Sequence, residues 1–265
     1  LDVTSFNTSK VKTMASLFYG CTSLKSIDLS NFDTSNVVDM GGMFYNCQAL
    51  TSLDLSSFNT SNVTNMGDTF NWCISLKNIN LSSFNTSKVT TISSLFYKCE
   101  SLDTVDLRSF DTSNVKNMGA MFRESAATEI KGLENFDTSN VTDMSEMFSG
   151  SKATSLDLSS FDTSNVTNMD HMFSQSATTE IKGLNKFNTS KVTNMSYMFS
   201  SSKATSLDLS NFNTSNVTNM SRMFYNSAAT EIKGLENFNT SNVTDMFGMF
   251  NSSAATEIKG LEKFN

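Results

Sequence analysis

Apolar residues recur along this chain at fixed places within a repeat of 25 or 26 residues. In one repeat, Leu50, Leu53 and Leu55 come first, and Phe58 follows three residues later. The last two leucines alternate with polar residues, which is typical of a short strand with one buried face. A fixed period of this length indicates a solenoid, in which each repeat forms one coil that packs against its neighbours. We therefore expect a short parallel strand in every coil.

A turn and a short helix are predicted after each strand. The sequence Phe-(Asp/Asn)-Thr-Ser follows the strands throughout the chain, and Thr and Ser are helix N-caps as well as turn formers. Val37, Met40, Met43 and Phe44 then have the spacing of one side of a helix of at most two turns. Because β-branched Val and Thr disfavour the α-helix, a 3₁₀ or irregular segment is the alternative.

These elements predict an α/β solenoid, a curved array of about ten coils, each with a short parallel strand and a short helix or 3₁₀ segment. Neighbouring strands lie about 4.8 Å apart and packed helices about 8 to 10 Å apart, so the strands would line the concave face. An all-β parallel solenoid is the alternative fold.

The chain divides into two subregions. Residues 1–124 contain 26-residue repeats with Cys at one place, whereas residues 125–265 have Ser there and alternate between two coil types in a 51-residue unit. In the longer coil type an added residue accompanies Gly132, Gly183 or Gly234, and we expect a bulge in the strand. We interpret residues 1–265 as one repeat domain and as a fragment, because neither end has the polar capping repeat of solenoids. The repeat is marked by phenylalanines at 6, 32, 58, 84, 110, 136, 161, 187, 212, 238 and 264.

The composition argues against several classes of function. A formal net charge of −7 and a pI near 4.8 argue against nucleic-acid binding, which depends on Lys and Arg. The chain has no apolar run of membrane-spanning length and no secretion signal at its start, so we expect no transmembrane segment in it. It also has no phosphate-binding loop and no single cluster of reactive side chains, so we expect no catalytic residues, no cofactor and no enzyme.

The segment from Leu50 to Cys73 and the sequence from Phe161 to Met169 resemble the BspA-type leucine-rich repeats of bacterial surface proteins. The resemblance covers essentially the whole chain and implies a leucine-rich-repeat-like array. It also implies an extracellular protein, secreted or attached to the cell surface or cell wall, that adheres to a host or microbial surface protein or glycan. Phe58 takes the place where ordinary leucine-rich repeats have an Asn, so the Asn ladder of those proteins is not expected here.

Two columns of exposed side chains are candidate binding surfaces. Aspartates at the outward strand position form an acidic column that Ca²⁺ could bridge, although a solvated acidic face is the simpler interpretation. A column of aromatic residues could hold a sugar or a protein, or could cover the flank of the core. The acidic column consists of Asp28, Asp54, Asp106, Asp157 and Asp208, and the aromatic column of Tyr19, Tyr45, Trp72 and Tyr97.

The four cysteines occur one per coil, so they are spread along a line and do not suit a zinc site. The coil spacing would permit disulfides between Cys21 and Cys47 and between Cys73 and Cys99. Because Ser takes the same place in later coils, we favour a small buried residue there. His171, the single histidine, is expected on the surface of its helix. The many Asn-x-Ser/Thr sequences are interpreted as a by-product of the repeat.

The leading functional hypothesis is a non-enzymatic adhesion module that uses repeated weak contacts on a curved surface. A structural stalk or spacer that projects another domain is the second hypothesis. Binding to ice or to another crystal surface is less favoured, because the predicted curvature does not suit a flat surface. The chain is expected to be a monomer or to associate end to end through uncapped coils.

Overall fold

The computed structural model describes residues 2–261 and 264. Ten coils follow one another, and a parallel β-bridge joins each coil to the next from Thr13 to Asp245. Eight short strands lie elsewhere on the coils, so the solenoid with short parallel strands is confirmed. The strands are β1 (Ser52–Leu53), β2 (Asn78–Ile79), β3 (Thr104–Asp106), β4 (Glu129–Lys131), β5 (Ser155–Asp157), β6 (Glu180–Lys182), β7 (Ser206–Asp208) and β8 (Glu231–Lys233).

The strands pair two by two. They form four parallel two-stranded sheets, β1 with β2, β3 with β4, β5 with β6 and β7 with β8. Among the described residues the stacked coils therefore do not form one continuous sheet. Continuity along the array comes from the column of bridges, in which Asp39, Asn65 and Thr91 belong to successive coils.

Two consecutive turns occupy the segment for which the sequence predicts a helix. In the second coil, the N–H groups of Met40, Gly42 and Phe44 donate to carbonyls of the next coil at 2.8 to 3.0 Å. The N–H groups between them donate within the coil, as the N–H of Tyr45 does to the carbonyl of Gly42 at 3.0 Å. Two residues of this double turn, Gly42 and Asn46, have positive φ, which a right-handed helix cannot accommodate. The irregular alternative is thus correct and the two-turn helix is wrong, because the N–H groups bond to the neighbouring coil.

The double turn removes the expected cause of curvature. No α-helix occurs among the residues that the structure describes. Neighbouring coils are joined by β-type hydrogen bonds both along the strands and along the column of bridges. The argument for a concave strand face required helices with a wider spacing than strands, so it does not apply to these residues.

The core consists of columns of identical side chains. In the main column, each phenylalanine of a double turn stacks on the equivalent ring of the next coil, with ring centroids between 5.2 and 6.0 Å apart. Phe44, Phe122 and Phe199 are fully buried members of this column. Buried methionines flank the rings, as Met40 and Met43 do in the second coil. Because each coil contacts the same groups in its neighbours, every added coil extends the core without changing it.

The coils of the second subregion differ from the earlier coils just before the strand, and those of the longer type also differ just after it. In the later coils Ser151 occurs two residues before a buried Ala153 and accepts its N–H at 3.3 Å. In the longer coil type Gly132 has φ of 95° and precedes a 3₁₀ helix. These three-residue helices are Leu133–Asn135, Leu184–Lys186 and Leu235–Asn237. The added residue therefore forms a 3₁₀ turn after the strand, and the positive φ expected at the glycine is present.

A ladder of buried threonines joins the coils. Thr60 is 1% exposed, and its hydroxyl donates to the carbonyl of Asn85 at 3.0 Å. The same hydroxyl accepts the N–H of Asn85 at 2.7 Å. Thr34 makes the equivalent pair of bonds to Asn59. The Thr of Phe-(Asp/Asn)-Thr-Ser is therefore a buried link between coils as well as a turn residue.

Candidate binding surfaces

The aspartates of the predicted acidic column end the strands with a local turn. The carboxylate of Asp54 accepts the N–H of Ser56 at 2.9 Å, and Asp157 accepts that of Ser159 at 3.1 Å. Asp28 and Asp208 do the same with Ser30 and Ser210. Each carboxylate thus stabilises the chain reversal after its own strand, which gives these aspartates a structural role.

Lysines share the register of the aspartates in the second subregion. Asp106 pairs with Lys131 across β3 and β4, and Asp157 pairs with Lys182 across β5 and β6. Asp208 is paired with Lys233 in the same way. The strand face, by which we mean the exposed side chains of β1 to β8, therefore alternates in sign along residues 104–233. Lysines therefore interrupt the acidic column there.

Hydrogen bonds keep these carboxylates ionised. The side-chain bond from Arg108 lowers the pKa of Asp106 to about 2. Hydrogen bonds from the serines that follow lower the pKa of Asp28 and Asp157. Among the described residues, no group of three or more His, Cys, Asp or Glu side chains is placed to hold a metal ion. Arg108, Lys131 and Lys182 place positive charge near these carboxylates.

Shallow clefts open on the strand face where β4, β6 and β8 each face the following coil. One cleft, between β4 and β5, has a volume of about 770 Å³ and includes Glu129, Ile130 and Asp157. The equivalent cleft between β6 and β7 measures about 540 Å³ and includes Glu180 and Asp208. A third, after β8, measures about 620 Å³. The two-coil unit thus places one cleft in each 51-residue period, a feature that the repeat length alone does not reveal.

The predicted aromatic column lies on the turn face, which we define as the exposed residues of the double turns. Tyr19 and Tyr45 stack with centroids 4.6 Å apart and planes within 5°. Trp72 is covered by the ammonium of Lys98, which lies 4.0 Å from the ring centroid. Tyr97 and the Arg123 guanidinium are 5.0 Å apart. The structure therefore places all four predicted aromatics on one face, with cations against two of them.

A second aromatic group on the turn face is absent from the sequence-based prediction. His171 stacks on Tyr197 with centroids 4.4 Å apart, and its Nδ1 is 3.0 Å from the carboxylate of Asp170. Arg222 bonds to the hydroxyl of Tyr197 and lies 5.0 Å from the ring of Phe247. His171 is thus half-buried in a stack and does not lie on a helix. Comparing double turns residue by residue could have found the group, because His171, Tyr197 and Arg222 occupy the same place in successive coils.

The cysteines are free thiols in a buried column. Cys47 and Cys73 donate to the carbonyls of Phe18 and Phe44 in the preceding coils, both at 3.1 Å. Burial raises the pKa of Cys47 to about 11 and raises that of Cys99 further. Cys21 alone is partly exposed. The interpretation as small buried residues agrees with these contacts.

These features define a class of protein: a solenoid of short parallel strands and double turns. The profile of the family described as "Mycoplasma protein of unknown function, DUF285" matches residues 1–104, 48–130, 94–182, 122–233 and 154–264. The chain belongs to this family. The finer resemblance to BspA-type repeats stays a prediction.

One solved structure similar to this chain is a leucine rich cell surface protein from Faecalibacterium prausnitzii A2-165. The similarity covers 92% of this chain and 79% of the other, with 13% sequence identity and a TM-score of 0.25. No curated protein matches the chain. Within the described residues, none of the helices has the length and hydropathy needed to cross a bilayer.

Proposed function

We propose that this chain is a non-enzymatic binding module of an extracellular bacterial surface protein, with adhesion as its role. The observation that carries the proposal is the separation between a constant core and a variable surface. The buried phenylalanine column is the same in every coil from Phe18 to Phe224. By contrast, the first positive-φ place of the double turn holds Asp68, His171 and Arg222 in different coils. Variation at exposed places provides different contacts along one regular array.

The turn face supports this role because it presents aromatic rings beside cations. Tyr19 is 57% exposed, and Phe247 is 67% exposed. Aromatic rings with polar tips provide a large contact area at a low entropic cost. Several such contacts on one rigid array add through multivalency, so each can be weak.

Binding to human cells and to immobilised matrix proteins and glycans tests the proposal, with the fluorescently labelled full chain as the probe. The matched variant carries Tyr19→Ser, Tyr45→Ser and Tyr97→Ser, since Ser149, Ser174 and Ser200 occupy the equivalent places in other coils. We expect this variant to fold and to bind at least about tenfold more weakly. Absence of binding by the unchanged chain to every surface would overturn the adhesion role.

A structural spacer is the second candidate, and the unbroken column of bridges from Thr13 to Asp245 favours it. Deleting one 51-residue unit, residues 137–187, distinguishes the two roles. A spacer keeps the affinity of its partner domain and loses reach, whereas an adhesion module loses affinity in proportion to the surface removed. For ice binding, an exposed threonine column exists, but Thr167 and Thr218 already donate to carbonyls of the preceding coil.

A further inference from the structure

The three clefts of the strand face form a regular series. On one side they have equivalent residues, beginning with Thr128, Thr179 and Thr230, each 51 positions after the last. On the other side the third cleft differs, because a second coil of the longer type places Glu257 and Lys259 where the first has Ser155 and Asp157. Coils at strand spacing rise about 4.8 Å each, so clefts two coils apart recur about every 10 Å along the array. Any ligand that engages all three must therefore repeat its own contacts at about this interval.

The clefts share an acidic character. Each has at least one carboxylate from each coil that borders it: Glu129 and Glu134 with Asp157, Glu180 with Asp208, and Glu231 and Glu236 with Glu257. Basic side chains also line two of the clefts, but carboxylates outnumber them in all three. The Lys131 and Lys233 ammonium groups lie 3.4 and 3.2 Å from the glutamates of their own strands. Such exposed pairs are weak, so a cation from a ligand can compete for the glutamates.

The floor of each cleft is apolar and only half covered. Ile130, Ile181 and Ile232 are partly buried and pack against the core from the strands that border the clefts. The equivalent residues of the partner strands, Leu156 and Leu207, are buried. Each cleft therefore offers a small apolar contact between charged rims, which suits a ligand with an apolar backbone and charged side chains.

The shape of the surface selects a linear ligand over a folded one. Strands of three residues give a face about 10 Å wide, and the six coils that carry the clefts extend about 29 Å. The resulting footprint of roughly 300 Å² falls below the roughly 800 Å² per partner of a stable protein interface. A second copy of this chain would also bury too small an area on this face for a stable interface.

Among linear ligands, a polyproline II peptide matches the spacing of the clefts. This conformation has three residues per turn and rises about 3.1 Å per residue, so every third side chain returns to the same side after about 9.3 Å. Alternate side chains of an extended strand recur at about 6.6 Å and do not match. A neutral glycan would favour aromatic platforms, and the exposed aromatic rings of Tyr19 and Phe247 occur on the turn face.

We propose that the strand face of residues 128–259 binds a polyproline II segment with a basic side chain at every third position, one in each acidic cleft. The inference rests on the proposed binding function and specifies one partner class for it. Proline in the other positions keeps the segment extended before binding, which lowers the entropic cost of association.

Peptides of Pro-Pro-Lys triplets test this proposal against the full chain by fluorescence anisotropy. We expect the affinity to rise more than additively from one triplet to three, because three clefts are engaged in turn. Peptides of alternating Pro and Lys with the same number of lysines, and peptides of Pro-Pro-Glu triplets, are expected to bind at least about tenfold more weakly.

The matched variants separate the clefts from the overall charge. Glu129→Gln, Glu180→Gln and Glu231→Gln together remove three cleft carboxylates, and we expect about a tenfold loss of affinity for three triplets. Asp111→Asn, Asp137→Asn and Asp162→Asn remove the same charge elsewhere, and Asn occupies this place in other coils, so we expect no more than about a twofold loss.

Equal losses in the two variants, or equal binding of the alternating peptide, would show nonspecific attraction and overturn the proposal. If the chain adheres to cells or matrix but not to the triplet peptides, the partner class is wrong while the binding function stands. If it binds neither, both proposals fail.

Discussion

Gly183 is a position at which one added methyl group is expected to destabilise the fold. It has φ of +84°, and a Cβ built there would lie 2.6 Å from both the N and Cα atoms of Ser159 in the preceding coil. Left-handed backbone costs a non-glycine residue about 1 to 2 kcal/mol. Displacing a packed backbone adds about 1 to 3 kcal/mol. Gly183→Ala is therefore expected to lower the free energy of unfolding by about 2 to 5 kcal/mol.

Gly150→Ala is the matched control for this change. Gly150 has φ of +66°, and its nearest neighbour is the flexible Cγ of Glu124 at 3.1 Å. The equivalent places hold Gln175 and Ser201 with positive φ, so a side chain is tolerated there. Only the conformational cost of about 1 to 2 kcal/mol is expected. Urea unfolding followed by circular dichroism measures both variants. Equal destabilisation of the two would refute the argument that close approach between coils requires glycine at 183.

Three further predictions concern the ladder, the thiols and the aspartates. Thr60→Val leaves the N–H and carbonyl of Asn85 without the buried hydroxyl that binds both, and it is expected to cost about 1 to 3 kcal/mol. Thr64→Val removes a single bond from a partly exposed hydroxyl to the carbonyl of Val38 and should cost less; equal melting temperatures would contradict this. In the native chain Ellman's reagent is expected to label Cys21 only, with the buried thiols reacting after unfolding, and rapid labelling of all four would disprove their burial. Because the pKa of Asp106 is lowered in the folded state, its carboxylate stabilises the fold at pH values above the ordinary aspartate pKa of about 3.9. The free energy of unfolding should therefore fall as the pH drops from about 4 towards the folded-state pKa of about 2. An acid titration that shows constant stability would refute this.

The strands and the solenoid could be predicted from the sequence, because the residue types there favour the structure that they adopt. The alternation at Leu53 and Leu55 identified the strand side, and the repeat length identified the solenoid. The helix prediction failed because the spacing of Val37, Met40 and Phe44 fits two consecutive turns as well as a helix. Positive φ at large residues such as Trp72 opposes local preference, so only contacts with the next coil could reveal it.

The candidate surfaces were predictable to a smaller extent. The Tyr19 and Tyr45 stack follows from one shared place in consecutive coils. Aligning the two coil types would also have placed Lys131 beside Asp106, since both end their strands. The clefts could not be predicted, because they depend on which neighbouring strands pair and which do not. That choice is made by backbone hydrogen bonds that no residue type specifies.

The coil-to-coil bonding of the double turns also determines how this chain would respond to mechanical force. Each coil is held to the next by its own set of hydrogen bonds, as from Gly42 to Gly67 at 2.8 Å. Tension applied at the two ends would therefore detach coils one at a time. A freed coil of 26 residues extends by roughly 85 Å, against the roughly 5 Å that it occupies when wound. We therefore expect a chain built in this way to lengthen under load in steps of one coil.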